Sequence, residues 1–500
     1  MDLDALLTPE TLLGRVARWL RDEGTSACLV GGSVRDALLG RPACDFHDLD
    51  FAVPGGGLAL ARRLADWLGG AFFPLDVERE TGRVVLTEPD GRRFYLDFAR
   101  WRGDSLRADL ADRDFTINAM ALDVTRKEGP ALVDLFGGQA DLAAGVVRAV
   151  TDRSLANDPV RVLRAVRMEA ALGFCIEPHT KALMQQSLPR LDGVSRERVR
   201  DELDRILATP GAAAHVRRLD GLDLLAAVLP EVIALKGVPP SPPHRAGAYT
   251  HALQVLEALE GLFAWLRPGH GYPPLARAVA SAVARLSPWH VPLGKHFFRF
   301  ISGDRKRATL LKLAALLHGA GKPEIGEQDE SGRLCFPDHE QRGAVLAAHT
   351  LHRLRFSGKE SALVQTVVAY QRRPLALSRA GTVTRRAVYR FFRDTGEAGI
   401  DVVLLSLADC LGRGGEALDP AAWEGVLDVA AVFLGDYFDR YLEVVSPPKV
   451  VDGRDLMAAF GLSPGPQVGH LLEQVREAQA GGQVSTREEA LALVRELLEE

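Results

Sequence analysis

The stretch CLVGGSVRDALLGRPACDFHDLDF, residues 28–51, decides how the chain reads. Cys28, Leu29 and Val30 form an apolar strand; Gly31-Gly32-Ser33 turns out of it, and a short helix opens at about Val34. A second strand follows and carries Asp48 and Asp50 at alternate positions. Side chains two apart on a strand point to the same face, so both carboxylates project together. A glycine turn lets backbone N–H groups approach phosphates closely, and paired carboxylates supply the hard oxygen ligands that Mg²⁺ requires. Neither the glycine pair nor the DxD is specific alone. In this order and at this spacing they describe a Mg²⁺-nucleotide site.

Four later segments fall into line with it. RDFTINAMA spans Arg113–Ala121, and DLFGG starts at Asp134 with Asp141-Leu142 behind it. NDPVRVLRAVRMEAALGF covers Asn157–Phe174, and SRERVRDEL covers Ser195–Leu203. With LVGGSVRDALLG and the DLD, these five motifs in one order resemble the signatures of the class II tRNA nucleotidyltransferase and bacterial poly(A) polymerase family, over residues 28 to about 210. The resemblance implies an α+β fold: a polymerase-β-like α/β head, then an all-helical neck, body and HD-like helical region. The implied domains are 1–150 (catalytic head), 151–236 (neck, selecting nucleotide and binding RNA), 237–415 (degenerate HD-like domain) and 416–500 (C-terminal helices).

The same resemblance assigns roles. Asp48 and Asp50 are expected to hold Mg²⁺ and carry catalysis. Gly31, Gly32 and Ser33 are expected to cradle the triphosphate, with Arg35 as a charged partner. Arg113 and Asp114 are expected near the nucleotide ribose. Asp158 and Arg161 are expected to read the edge of C or A, because a carboxylate accepts from an amino group and a guanidinium donates to ring nitrogens and carbonyls. Arg164 and Arg167 then suit the phosphates. Asp97, in FYLDF, is a candidate third carboxylate. Two positions depart from the family pattern: Asp112 stands where an arginine is usual, and Asn157 where a glutamate is usual.

Composition is that of an ordinary globular protein, 47% apolar and 25% charged. The net charge of −5 does not advertise nucleic-acid binding, although residues 161–218 hold eleven Arg and Lys against seven Asp and Glu. Five cysteines without CxxC spacing argue against structural zinc or a disulfide framework and fit a reducing cytosol. The N-terminus shows no signal-peptide pattern, and no apolar run is long enough to span a membrane, so a cytoplasmic protein is expected. Strands are predicted at 28–30, 49–53, 83–87 and 94–99, a first helix over 10–24, and loops at 237–247 and 265–275.

A weaker resemblance runs through His251, LLKLAALLHGAGKPE with His318, His339 and Asp409. It looks like an HD-type metal phosphohydrolase whose His-Asp pair has become His318-Gly319, hence a degenerate scaffold. The strand-to-helix connection near Arg102–Leu106 lacks the extra loop of roughly ten to twenty residues that full CCA-adding relatives carry. The expected function is transfer of CMP and/or AMP from CTP or ATP to the 3′ end of tRNA. The alternatives are a CC-adding-only or A-adding-only enzyme, a poly(A) polymerase, or a decayed transferase that only binds RNA.

Overall fold

A computed structural model describes residues 4–42, 46–88, 91–241, 246–267, 277–330, 334–414 and 419–499. The chain divides into two compact units, Met1–Ser195 and Arg196–Glu500. Asp45 and Cys44, and most of the expected loop at 265–275, lie outside the described residues.

The first unit is built on a seven-stranded mixed sheet. Its strands are β1 (Cys28–Val30), β2 (Asp48–Val53), β3 (Ala71–Asp76), β4 (Thr81–Thr87), β5 (Arg93–Arg100), β6 (Met120–Asp123) and β7 (Ala131–Asp134). They lie in the order β3-β4-β5-β2-β1-β6-β7, and only β2 and β5 pair in parallel. The four predicted strands are all present. Three more, β3, β6 and β7, carried no clear alternation. In β3, AFFPLD contains a proline and every side chain is exposed or half-buried, as on a sheet edge.

Period-two burial sets up the site. Leu49 and Phe51 of β2, Val84 and Leu86 of β4, and Phe94, Leu96 and Phe98 of β5 are buried. The rings of Phe51 and Phe98 stack at 4.7 Å between centroids, and the helix Gly57–Leu68 packs its Leu60, Ala61 and Leu64 beside β4 and β5. The alternate positions, Asp48, Asp50, Arg83 and Asp97, therefore share the opposite face. The first helix, Leu12–Asp22, buries Val16 and Leu20 as its spacing predicts.

Beyond the sheet the unit is helical, with helices Arg161–Leu172 and Pro178–Ser187, apart from a short parallel ladder of Val146–Val147 with Cys175–Ile176. The second unit is also helical apart from two-stranded ladders of Phe300–Ser302 with Arg305–Lys306 and of Glu327–Gln328 with Leu334–Cys335, too short to leave a periodic signal. Its helices Ala248–Leu266 and Gly399–Gly414 pack together, and a separate small core at 451–494 is formed by Leu456, Leu471, Val475 and Val494 among others.

Candidate active site

The glycine turn is forced by its geometry. Gly31 has φ +77° and ψ −137°, a region closed to L side chains, and a Cβ there would stand 3.3 Å from the Arg113 guanidinium and 3.7 Å from Asp50. Backbone, arginine and carboxylate thus converge on one point. Ser33 Oγ donates to the Asp48 carbonyl at 2.7 Å, tying the turn to β2. Gly32, Ser33, Asp36, His47, Asp48 and Asp50 line an open cleft of about 330 Å³.

Asp48 and Asp50 both face this cleft. Asp50 is reachable by water but ringed by protein. Loss of hydration, then the neighbouring Asp97 and Asp48 carboxylates, push its carboxyl up to about 6, against the opposing pull of Arg113 and Arg83. Asp97 sits directly in register with Asp50. It is not an open ligand: Arg83, opposite it on β4, donates to both of its oxygens at 2.7 Å. Arg83 was not singled out in the sequence. The signal was there, since a charged residue in mid-strand on each of two neighbouring strands invites a cross-strand pair.

Arg35 is not brought into the cleft as a charged partner. Its guanidinium is buried, donating to Asp36 Oδ1 at 2.9 Å and to Asn118 Oδ1 at 2.7 Å. Asn118 in turn donates to Asp114 Oδ1 at 3.1 Å, so the turn and RDFTIN are locked together.

Arg113 is held by Asp109, Nη2 to Oδ2 at 3.0 Å. Asp114 is buried. Burial works to raise its carboxyl, but Arg164, Asn118 and the Phe115 N–H, with help from Arg161, hold it below the ordinary aspartate value. Arg164 Nη1 reaches Asp114 Oδ2 at 3.2 Å and stays 30% exposed along its side chain.

Asp158 does not share the helix of Arg161, Arg164 and Arg167. It caps the short helix Ser154–Asn157 in extended backbone, and the next helix begins at Arg161. Its carboxylate still lies 3.7 Å from Arg161 Nε. The Arg161 guanidinium is 5% exposed and donates to three carbonyls: Ser154 at 2.9 Å, Asp112 at 2.7 Å and Arg113 at 3.2 Å. Arg161 therefore pins the RDFTIN segment to the start of its own helix. Arg167 lies two turns along that helix and is half-buried. Asp112 keeps contact with its neighbours through Arg102 Nη1 at 3.1 Å and Asn157 Nδ2 at 3.4 Å.

The third motif is structural. Asp134 accepts from the N–H groups of Gly138 and Gln139, and a Cβ on Gly138 would fall 2.4 Å from the Thr116 carbonyl oxygen. No other residue fits there.

Sequence comparisons agree with this architecture. The profile of the Poly A polymerase head domain matches residues 27–148, that of the probable RNA- and SrmB-binding site of polymerase A matches 173–235, and that of a putative tRNA nucleotidyltransferase domain 2 matches 438–494. An A-adding tRNA nucleotidyltransferase of Deinococcus radiodurans is 33% identical over 483 residues, 95% of this chain and 96% of its own. A CC-adding tRNA nucleotidyltransferase of Geobacter sulfurreducens is 34% identical over 476 residues, 95% and 93% respectively. The chain belongs to the tRNA nucleotidyltransferase family. The solved complex of a CCA-adding enzyme with CTP has the same fold, with a TM-score of 0.62 over 100% of this chain and 99% of that one at 23% identity.

The HD-like residues also converge, within the second unit. One ligand atom each of His251, His318 and Asp409 lies within 4.8 Å of the others. His251 Nε2 is 2.8 Å from Asp409 Oδ1, and Arg413 pairs with the other carboxylate oxygen. His318 Nδ1 donates to the Ala315 carbonyl at 2.6 Å. His339 stands apart from this trio, on the Phe336 carbonyl. Among the described residues no helix is long and apolar enough to cross a membrane.

Proposed function

We propose that the cleft transfers nucleotides from CTP or ATP to the 3′ end of tRNA, the 3′-hydroxyl attacking the α-phosphate and pyrophosphate leaving. The observation that carries this reading is the convergence of Gly31, Arg113, Asp48 and Asp50 at one point of the sheet. Two carboxylates on one strand face, one of them raised by burial and by neighbouring negative charge, fit a hard dication that also takes phosphate oxygens. Asp48 and Asp50 would hold Mg²⁺, which neutralises charge on the transferring phosphoryl group and its leaving pyrophosphate.

The rest is positioning. The backbone of Gly31 and Gly32 faces the triphosphate, and Ser33 keeps the turn on β2. Arg35 acts from within, through Asn118. Arg113 lies beside Asp50 for the sugar and phosphates, while Asp114 orients Arg164. Asp158 and Arg161 select the base, with Arg161 fixing the segment against which the base is read. Arg164 and Arg167 serve the phosphates. Such a protein works on tRNA in the cytoplasm.

Two relatives of opposite specificity stand at nearly equal identity, so specificity is read from the head's own connector. Five residues, 101–105, join β5 to the helix Leu106–Ala111. That brevity favours CMP addition. Incubating the protein with tRNA transcripts lacking CCA, lacking CA or lacking A, each with labelled CTP or ATP, tests the reading. Incorporation into none of them overturns it.

A further inference from the structure

The second unit holds a cluster of cations that nucleotide transfer in the head does not use. Lys322, Arg372, Arg379 and Arg413 line a cavity of about 460 Å³, with His318 and Phe336 on its wall. Their counter-charges are unevenly placed. Asp409 is taken by His251 and Arg413, and Arg372 is taken by Glu340 at 2.9 Å, which also lies 3.5 Å from His339. Asp329, on the rim, is exposed.

Lys322 is the exception. It is 7% exposed, yet among the described residues its ammonium makes no hydrogen bond or ion pair; its one close partner is the Phe336 ring, at 5.8 Å. Arg379, at the mouth, likewise has no hydrogen-bonded or ion-paired partner among the described residues. Because Lys322 lines the cavity, an anion there would meet a cationic donor that no protein acceptor occupies among the described residues. Burial, reinforced by Arg413 and Arg372, holds its pKa below the ordinary lysine value against the pull of Asp409 and Glu340. An incoming anion would reverse that.

The cluster is poorly suited to a metal. Gly319 offers no ligand, Asp409 already carries a guanidinium, and Lys322 lies along the same wall: its Cδ would be 3.8 Å from a Cβ on Gly319. A dication would meet an ammonium and two guanidinium groups. The cavity is also larger than one phosphate needs and falls within the range of small-molecule sites.

We infer that this cavity is a metal-independent anion site for a phosphate monoester with a ring-bearing body: the phosphate would lie between Lys322, Arg379 and Arg413, and the body against Phe336. The site is separate from nucleotide transfer and stands or falls independently of it.

The test is calorimetric titration of the full-length protein carrying Asp48→Asn and Asp50→Asn, in EDTA, with inorganic phosphate and with adenosine 5′-monophosphate. Both should bind saturably, the monoester more tightly. Lys322→Met should weaken both by at least about tenfold, the worth of one charge-assisted hydrogen bond. Arg379→Ala, an exposed side chain whose loss leaves the core intact, should weaken them several-fold and decides the matter if Lys322→Met fails to fold. In the otherwise wild-type chain, Lys322→Met should leave CMP addition to tRNA unchanged. Undiminished binding in both variants, no saturable binding in the parent, or binding that needs added Mn²⁺ would overturn the proposal. Phosphate binding with exclusion of the monoester would overturn the assignment of the ligand's body.

Discussion

Asp50 and Asp97 stand side by side in register on parallel strands, and the Arg83 guanidinium donates to both oxygens of Asp97. Burial, and then the Asp97 and Asp48 carboxylates, raise the Asp50 pKa. A raised folded pKa means that the protonated form is favoured in the native state. Stability from this group is therefore full below the unfolded value of 3.8 and is lost as pH rises through about 6. Asp50→Asn should stabilise the metal-free protein at neutral pH by about 1 kcal/mol, a figure discounted for solvent screening at an exposed carboxylate. Thermal unfolding in EDTA would show it, and no gain would contradict the charge assignment. Catalysis should run the other way, falling as pH drops below about 6 and Asp50 takes a proton. More Mg²⁺ should move that limb to lower pH, and Arg83→Met, which frees Asp97, should move it higher. A limb insensitive to both would place the titration elsewhere.

Asp48→Ala and Asp50→Ala should each cost roughly 10²–10³ or more in the rate of nucleotide addition, the usual worth of a preorganised electrostatic group. Binding of tRNA, measured by filter retention, should persist. Near-normal incorporation by Asp48→Ala with Mg²⁺ present would remove it from the metal site.

The sequence made the two aspartates legible because strand alternation is local: position 48 determines where position 50 points. The Gly31 turn was legible for the same reason. What stayed hidden depends on pairing distant segments. Arg83 becomes a neighbour of Asp97 only through antiparallel β4–β5 register, and Arg35 reaches Asn118 only once β1 and β6 are adjacent. Both arginines look alike in sequence, one beside an Asp and one between a glycine and two valines; burial separates them. Asp158 ends one helix rather than opening the next, as Pro159, which disfavours helical backbone before it, requires. Strand β3 was missed because an exposed edge with a proline has no hydrophobic face to announce it.

Arg161 supports three carbonyls from within the unit, so Arg161→Ala should destabilise the protein by about 3 kcal/mol as well as disturb base choice. Arg161→Lys should recover little, because an ammonium cannot spread to three fixed acceptors. Asp158→Ala should leave unfolding nearly unchanged and relax discrimination among nucleotides, an effect of roughly 1–3 kcal/mol. Denaturant unfolding paired with incorporation of each of the four labelled nucleotides separates the two roles. An Arg161→Ala protein of wild-type stability would show that its backbone contacts do not anchor RDFTIN.

The connector between β5 and the helix Leu106–Ala111 is short and also tethered. The Trp101 N–H donates to the Val53 carbonyl at 2.8 Å, and the Arg102 N–H donates to Asp109 Oδ1 at 3.1 Å. Arg102 Nη1 reaches Asp112 Oδ2 at 3.1 Å, and Ser105 Oγ caps the helix by accepting from Ala108 N–H. Asp109 is the same carboxylate that holds Arg113, so any swing of the connector would disturb the groups around the nucleotide. A pocket that must change shape between CTP and ATP needs slack here, and this one has little. CMP addition to tRNA lacking CCA should therefore be fast, and AMP addition to tRNA lacking only the terminal A slower by at least about tenfold, a difference of about 1.4 kcal/mol in barrier. Single-turnover assays with each substrate would measure both rates. Inserting a flexible Gly-Ser segment between Gly103 and Asp104 should narrow the gap if slack is what limits the second step. Rapid addition of both nucleotides by the unmodified protein would show that the short connector does not restrict it. Rapid AMP addition with no CMP addition would show instead a pocket fixed permanently in the shape that accepts ATP.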